Sequence, residues 1–405
     1  MTAVPKVIFL DRTTPPHIVT LVMLAGVGAM NMSVLLPSLP AMTLYFDTDY
    51  AVMQLSVSLY LAMTAGLQLF IGPMSDRFGR RRVMLVCLGI FLVATLGCML
   101  SPTAEIFLTF RMLQGAVAVG LVLSRAIVRD MVPQDQAASM IGYVTMGMAL
   151  VPMFAPMIGG ALDQLFGWHA TFGFMLAIGL AVLVLAYWDQ GETFSGQASS
   201  FAQQFSEAPE LLRSRRFWGY VFAAAFAAGA FFAFLGGAPY VASEVFGLSS
   251  FWSGVGFGAP AIGYAFGNFL SGRYSTTVGV NTMILYGTLA TTIGMAGGLT
   301  LVLLGFDSAV LFFGTCTTVG LGNGLVMPNT AAGMLSVRPK LAGTASGLGS
   351  AILIGGGAGL SALAGFALKF GTTSAPLQII MFCSSAMALV SILYVRKRAV
   401  ELAAA

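Results

Sequence analysis

The residues of this chain whose types and spacing suit chemistry are charged side chains beside long apolar runs. The segment Gly72–Arg82 places Asp76 and a row of arginines between two such runs. Gly79 permits a sharp turn there. We expect Asp76 to begin the following helix, where a carboxylate suits the positive end of the helix dipole. Arg80 could then reach Asp130 at the end of a neighbouring helix, which predicts an ion-paired cluster.

A second candidate is Arg111, which lies several residues inside a later apolar run. A charge in such a run is costly unless it is paired or faces a watery cavity, so function is the default interpretation. Together with Asn31, Gln114 and Gly115 it could form a polar centre that lines a cavity or couples two events. The alternative is a packing role, in which backbone carbonyls and Asn31 satisfy the guanidinium.

No enzymatic signature accompanies these residues. The sequence has no Walker loop, no HExxH motif and no spacing typical of a catalytic triad. Its four cysteines stand singly without a CxxC pair, which indicates packing rather than a disulfide framework or a metal site. We therefore expect a protein that is not an enzyme and that uses no metal or cofactor.

Composition indicates which elements position these residues. Hydrophobic residues make up 58% of the chain and charged residues only 8%, which leaves too little polar surface for a soluble domain. The apolar runs are long enough to cross a hydrocarbon layer of about 30 Å. We predict an all-α membrane protein with twelve transmembrane helices. The predicted spans are His17–Leu36, Ala51–Ile71, Val83–Leu100, Ile106–Val128, Ala138–Leu162, Trp168–Trp188, Phe217–Val241, Phe251–Leu270, Val280–Leu304, Ala309–Met327, Leu341–Phe366 and Thr373–Val395.

A polar stretch divides the spans into two sets of six. The predicted organisation is an N-terminal six-helix bundle over residues 1–188, a cytoplasmic linker over 189–216 with a short surface helix near Phe201–Leu212, and a C-terminal six-helix bundle over 217–405. Gly120–Ser124 in the fourth span matches Gly324–Pro328 in the tenth, which indicates internal repetition. Repeated halves are typical of secondary transporters, whose substrate site lies near the membrane midplane between them.

The distribution of charge predicts the orientation of the chain. With both termini in the cytoplasm, the cytoplasmic segments hold nearly all arginines and lysines, and the other side holds only Lys369 together with acidic loops. This lopsided pattern follows the positive-inside rule. Because each basic cluster flanks a span, topology explains the clusters, and we expect no nucleic-acid partner.

Two motifs resemble signatures of the major facilitator superfamily. The loop between the second and third predicted spans resembles the first signature, and the resemblance implies that its charge cluster latches one conformation. The residues of this latch are Gly72, Asp76, Arg77, Gly79, Arg80, Arg81 and Asp130. Arg111, Gln114 and Gly115 resemble a second signature, an Arg-x-x-Gln-Gly in the fourth span.

The fifth predicted span is similar to the antiporter signature of the same superfamily. The residues that carry this likeness are Gly142, Pro152, Pro156, Gly159 and Gly160. Small residues and prolines let this span bend and approach the eighth span closely. Arg125–Asp130 at the end of the fourth span and Leu36–Pro40 at the end of the first look like the bicyclomycin-resistance (Bcr/CflA) branch of the drug:proton antiporters.

The resemblance to this branch implies both fold and activity. The fold would be two pseudo-symmetric six-helix bundles, the major facilitator fold. The activity would be secondary active export of small, mostly apolar drugs or toxic compounds across the bacterial inner membrane by proton antiport. The implied partners are the small-molecule substrate, protons and the lipid bilayer, without a cofactor, and the implied working unit is a monomer.

Relatives in this branch often carry an acid in the first span, near the residues that here read Asn31–Ser33. By our placement all fifteen acids of this chain lie in loops or at span ends. The candidates left for carrying a proton are Asp76, Glu105, Asp130, Asp163 and Glu244. The alternative function is a carrier for a specific metabolite, including an anionic one, anchored by Arg111.

Several apolar and amide side chains are candidates for lining a substrate pocket. They are Met146, Phe154, Phe231, Phe234, Tyr264, Asn323 and Met327. Methionine and aromatic side chains can repack around varied apolar guests, which suits a promiscuous binder. The alternative for each residue is ordinary packing against lipid or another helix.

Overall fold

The apolar runs form consecutive helices in the computed structural model. It describes residues 7–132, 134–194, 211–337 and 342–404, and within these ranges the regular structure is helical, without a β-strand. We number the membrane-length helices in chain order. They are α1 (Ile18–Tyr45), α2 (Tyr50–Phe78), α3 (Arg80–Met99), α4 (Ala104–Met131), α5 (Gln134–Phe166), α6 (Trp168–Asp189), α7 (Arg215–Val245), α8 (Ser250–Phe257 continued by Ala259–Val278), α9 (Val280–Leu303), α10 (Ala309–Val337), α11 (Ala342–Ala367) and α12 (Ala375–Ala404).

Within the described residues, ten of these helices are long and apolar enough, by length and composition alone, to cross a membrane. The other two are α5, which contains Pro152 and Pro156, and α8, which is interrupted at Gly258. Each helix corresponds to one predicted span, so the prediction of an all-helical membrane protein with twelve spans is confirmed. Several helices extend beyond their predicted spans: α10 continues past Met327 to Val337 and α12 past Val395 to Ala404. Helix α1 continues past Leu36 to Tyr45 because prolines start two further helical turns there.

Within the bounds given above, three of the described helices change their pitch, and a further 3₁₀ turn at Leu368–Phe370 follows α11. A 3₁₀ turn interrupts α1 at Leu36–Ser38 and α4 at Gln114–Ala118, and α7 ends in a π-helical turn at Val241–Val245. Such departures from the α-helix often mark functional positions. The turn in α4 starts three residues after Arg111, so the predicted polar centre lies at an irregular point of its helix.

Helix packing divides the bundle into a first half, α1–α6, and a second half, α7–α12. Within the first half α1 packs on α4, α5 and α6, and within the second half α7 packs on α10, α11 and α12. The two halves meet mainly where α2 packs on α11 and where α5 packs on α8. Of the predicted linker, the surface helix near Phe201–Leu212 lies outside the described residues except for its last two positions.

The two ends of the bundle differ in charge. We call the end that holds Arg80, Asp130 and the last residue of α6 the basic face. We call the other end, which holds Asp49, Asp163 and Lys369, the opposite face. Because successive helices run in alternating directions, each face collects every second helix connection.

Candidate functional site

Arg111 lies at the centre of a hydrogen-bonded cluster that joins α1, α2, α3 and α4. Its Nη1 donates to Asn31 Oδ1 at 2.8 Å and to Gln114 Oε1 at 2.6 Å. Its Nη2 donates to the Asn31 carbonyl at 2.8 Å, and its Nε donates to the Ser56 carbonyl at 3.1 Å. Gln114 in turn donates to Thr95 of α3 at 2.8 Å. Four of the five guanidinium N–H groups are thus occupied by protein oxygens.

This Arg111 cluster is closed off from water. Arg111 is 1% exposed, and its guanidinium carbon lies 4.6 Å from the centre of the Tyr60 ring, so the ring and neutral oxygens stabilise the charge. Gly115 lets α4 approach Met63 of α2. The expectation that Arg111 lines a cavity is therefore corrected for this conformation. It connects four helices, as in the packing alternative that uses Asn31 and backbone carbonyls.

At the basic face, Arg80 joins the ends of three helices. Its Nη1 pairs with Asp76 and donates to Ser75 Oγ, and its Nε pairs with Asp130 Oδ2 at 3.0 Å. Arg80 is buried, so water screens these contacts less than it screens an exposed ion pair. The predicted cluster of Asp76, Arg80 and Asp130 is therefore present, and it connects α2 and α3 to the end of α4.

The turn before Arg80 differs from the expectation in one respect. Gly79 alone separates α2 from α3, and its φ of +93° is one that glycine adopts readily. Because the turn is a single residue, Asp76 lies in the last turn of α2, and the prediction that it begins the next helix is wrong. The carboxylate at the start of α3 comes instead from Glu192, which accepts the backbone N–H groups of Arg80 at 2.8 Å and Arg81 at 3.2 Å.

Glu192 belongs to a short segment after α6 whose role sequence reasoning missed. In the same region the buried Asp189 accepts the backbone N–H groups of Leu10 at 2.6 Å and His17 at 2.8 Å. The ring of Phe194 lies 4.9 Å from the Arg80 guanidinium. The start of the linker is thus attached to the Arg80 cluster. The signal that could have found this is a pair of acids directly after an apolar run, on the same side as a row of arginines.

The other residues of the predicted latch have different environments. Arg81 donates from Nε to the Gln190 carbonyl at 2.7 Å and from Nη2 to the Tyr187 carbonyl at 2.9 Å, and so satisfies carbonyls at the end of α6. Arg77 is exposed and lies beside the Phe78 ring. A Cβ at Gly72 would meet nothing within 4 Å, so packing in this conformation does not require a glycine there.

At the opposite face, buried hydrogen bonds join the two halves. Gln54 Nε2 of α2 donates to both the carbonyl and the hydroxyl of Ser361 in α11, each at 2.8 Å. The Tyr50 hydroxyl donates to the Gly236 carbonyl of α7 at 2.9 Å. Between described residues, the hydrogen bonds and ion pairs that cross from one half to the other all lie near this face. The opposite face is closed in this structure.

Helices α5 and α8 meet through their backbones near the same face. A Cβ on Gly160 would overlap the Ser250 carbonyl, and a Cβ on Gly254 would overlap the Pro156 carbonyl. Gly159 makes the same kind of close approach to α1. The prediction that small residues let α5 approach α8 closely is confirmed for these positions.

The residues predicted to line a substrate pocket fall into different environments. Phe234 is buried in an aromatic cluster. Its ring centroid lies 6.3 Å from that of Phe312, which is stacked on it, and 5.9 Å from that of Phe257, which meets it edge-on. Its assignment to the pocket is corrected, because it packs the interior of the second half. Among the others, Asn323 is buried, Phe231, Tyr264 and Met327 are half-buried, and Phe154 is exposed. Gly142 and Met146 lie in α5, but their surroundings fall outside the described residues.

Two six-helix halves that close against each other at one face define a class of protein: a membrane transporter built from repeated halves. Residues 21–362 match the family model that is described as Major Facilitator Superfamily. The chain therefore belongs to the Major Facilitator Superfamily, and it is a transporter rather than an enzyme.

Relatives and a solved structure agree with this assignment. The chain is 29% identical over 397 residues to the bicyclomycin resistance protein homolog of Haemophilus influenzae. The aligned region covers 95% of this chain and 96% of that relative. It is 32% identical over 249 residues to the chloramphenicol resistance protein of Pseudomonas aeruginosa, covering 61% and 59%. The fold is similar to that of a bacterial homolog of the human lysosomal transporter Spinster, in an inward-facing and unoccupied conformation. The TM-score is 0.70 at 18% identity, over 93% of this chain and 95% of that chain.

Proposed function

We propose that this transporter exports small, mostly apolar toxic compounds from the bacterial cytoplasm in exchange for protons, as a monomer. The structural observation that carries the proposal is the closed seam between the halves at the opposite face, formed by Gln54 with Ser361 and by α5 with α8. A seam of a few hydrogen bonds and close backbone contacts can part without unfolding either half. One closed face is what an alternating-access carrier requires in one of its two end states.

Orientation follows from the positive-inside rule. The basic face carries the arginine clusters, so we assign it and both termini to the cytoplasm of a cell with an inner membrane. The opposite face then looks outward, and the structure represents the state that is closed to the outside.

The arrangement of charges supports a neutral substrate. Within the described residues, every acid that lies in a helix occupies its first or last turns, so a cation would find no carboxylate of these residues at the membrane midplane. Arg111 already donates four hydrogen bonds inside the first half, so an anion would find no open guanidinium there. This weakens the alternative of an anionic metabolite carrier. The names of the relatives, resistance to bicyclomycin and to chloramphenicol, support a drug as the substrate.

The test uses inside-out vesicles that are energised to accumulate protons and monitored with a pH-sensitive dye. A panel of phenicols, dyes and small anionic metabolites is added in turn. We expect phenicols or dyes to trigger proton release, because export in this orientation exchanges a substrate for an internal proton. The variant Arg111→Ala should lose the signal, since Ser56, Asn31 and Gln114 would lose their common donor.

The matched control is Arg12→Ala, which removes an exposed arginine at the basic face and should leave proton release unchanged. Drug transport that persists at the same rate after the gradient is collapsed would refute proton coupling. Transport of labelled anions without any response to drugs would restore the metabolite carrier.

A further inference from the structure

The acids whose side chains the structure describes differ in what stabilises their charge. Those held by a cation or by several hydrogen-bond donors are Asp11, Asp76, Asp130, Asp189 and Asp307. Those exposed to water are Asp47, Asp49, Glu105, Glu192, Glu244 and Glu401. Asp163 belongs to neither group, because it is buried without a cation.

Asp163 lies in the last turn of α5, on the seam between the halves. It is 8% exposed, and its Oδ2 accepts a hydrogen bond from the hydroxyl of Ser250 at the start of α8. Its Oδ1 is buried without a hydrogen-bond partner, and the hydroxyl of Ser38 in α1 lies close by. The carboxyl group is therefore enclosed jointly by both halves.

Charged groups near this face are engaged elsewhere. His169 of α6 stacks on Trp168 with ring centroids 3.7 Å apart, and Lys369 pairs with Asp49 at 2.7 Å across the exposed rim. Neither contacts Asp163 in the described structure, and α1 and α8 present only hydroxyl groups to it.

We propose that Asp163 makes the opposite face a proton-sensitive gate: when this face is open, the carboxyl group exchanges protons with the outer side, and the seam between α5 and α8 closes over the neutral acid. The inference goes beyond the proposed proton antiport and rests on the alternating access that the antiport requires. The role is one of gating, and it is distinct from the role of proton carrier, for which the sequence left five candidates open.

Three physical effects favour the neutral acid in the closed state. Burial away from water penalises a carboxylate that has no cation beside it. The carbonyl end of α5 adds a negative dipole, which disfavours a negative charge in the last turn. The hydroxyl groups of Ser250 and Ser38 offset only part of this cost. In the open state Ser250 moves away with the second half, water reaches Asp163, and its proton can leave.

Proton binding and closure are therefore linked. The closed state binds the proton more tightly than the open state, so lowering the pH must increase the closed fraction, and raising the pH must decrease it. For one proton, the ratio of closed to open molecules can change by at most about tenfold for each pH unit.

The experiment measures the distance across the opposite face in the full-length protein, without substrate, in lipid nanodiscs. Spin labels are attached at Leu44→Cys in the first half and Val310→Cys in the second, both highly exposed positions, after Cys383→Ser removes the exposed native thiol. Pulsed electron paramagnetic resonance then gives the closed fraction at each pH. We expect the short distance to gain population as the pH falls.

Two variants identify the group that titrates. Asp163→Asn imitates the neutral acid, keeps an oxygen acceptor for Ser250, and should stay closed at every pH. Asp49→Asn is the matched control, because it breaks an exposed contact between the same halves and should keep the wild-type pH dependence. A wild-type distance distribution that does not change with pH would overturn the proposal, even if Asp163→Asn failed to fold. An Asp163→Asn protein whose closed fraction changes with pH as it does in the wild type would also overturn it.

The vesicle assay separates this inference from the proposed function. Drug-triggered proton release in vesicles together with a pH-independent seam in nanodiscs would leave proton antiport standing and remove Asp163 as the gating residue. A pH-dependent seam in nanodiscs together with no drug response in vesicles would retain the gating role of Asp163 and remove the drug.

Discussion

The seam at the opposite face makes one quantitative prediction for Gln54→Leu. Gln54 Nε2 donates two hydrogen bonds to Ser361 across the halves, each 2.8 Å long and fully buried. Leucine keeps most of the volume but leaves the carbonyl and the hydroxyl of Ser361 without their donor when the face is closed. In the open state water can satisfy both groups, so the substitution destabilises the closed state selectively.

The magnitude follows from the two lost bonds. A buried hydrogen bond contributes about 0.5–1.5 kcal/mol net, so the pair contributes about 1–3 kcal/mol. This corresponds to a decrease of roughly 5- to 150-fold in the ratio of closed to open molecules. Distance measurements between the labels at Leu44→Cys and Val310→Cys would show the shift directly, at a pH where the wild type is mostly closed.

Gln378→Leu is the matched control. Gln378 is an equally buried glutamine that donates to Ser374 at 3.0 Å within the second half, so its loss should lower thermal stability without changing the distance across the seam. The reasoning would be refuted if Gln54→Leu left the closed fraction unchanged, or if Gln378→Leu shifted it equally.

Two further predictions concern backbone contacts. Gly160→Ala should hold the opposite face open and abolish transport, because the added Cβ would overlap the Ser250 carbonyl. The control Gly173→Ala, whose Cβ would meet nothing within 4 Å, should transport normally. A Gly160→Ala protein whose opposite face is closed would contradict the argument. Glu192→Ala should lower the free energy of unfolding by about 0.5–2 kcal/mol, seen as a lower thermal midpoint in detergent, because α3 loses the acceptor for its first N–H groups. The exposed Glu244→Ala should have no such effect, and equal midpoints for both variants would refute the capping role.

Sequence reasoning succeeded where a single local property decides the outcome. A run of about twenty apolar residues has to become a helix in a membrane, because no other structure satisfies its backbone there. Glycine at position 79 was expected at a sharp turn, and its positive φ agrees. The partners of Arg80 were also found, because Asp76 is one helical turn away and Asp130 ends a neighbouring span on the same side.

Predictions fail where hydropathy alone does not decide the outcome. Asp76 was assigned to the wrong helix, because hydropathy does not show that the turn is a single residue. Phe234 was assigned to a pocket, although aromatic neighbours on α8 and α10 enclose it. A helix of alternating large and small apolar residues does not reveal which side faces a cavity, since lipid and protein neighbours are equally apolar.

The sequence by itself determined the twelve spans, the charge asymmetry between the faces and the Arg80 cluster, because these follow from hydropathy, charge and short spacings. Only the tertiary structure decided that Arg111 is enclosed by four helices, that Glu192 caps α3, and that Gln54 meets Ser361 across 307 positions of sequence. It also separated Asp163 from the other acids. Each of these is a contact between segments that are distant in sequence, within one half for Arg111 and Glu192 and between the halves for Gln54 and Asp163, and no local pattern contains such contacts.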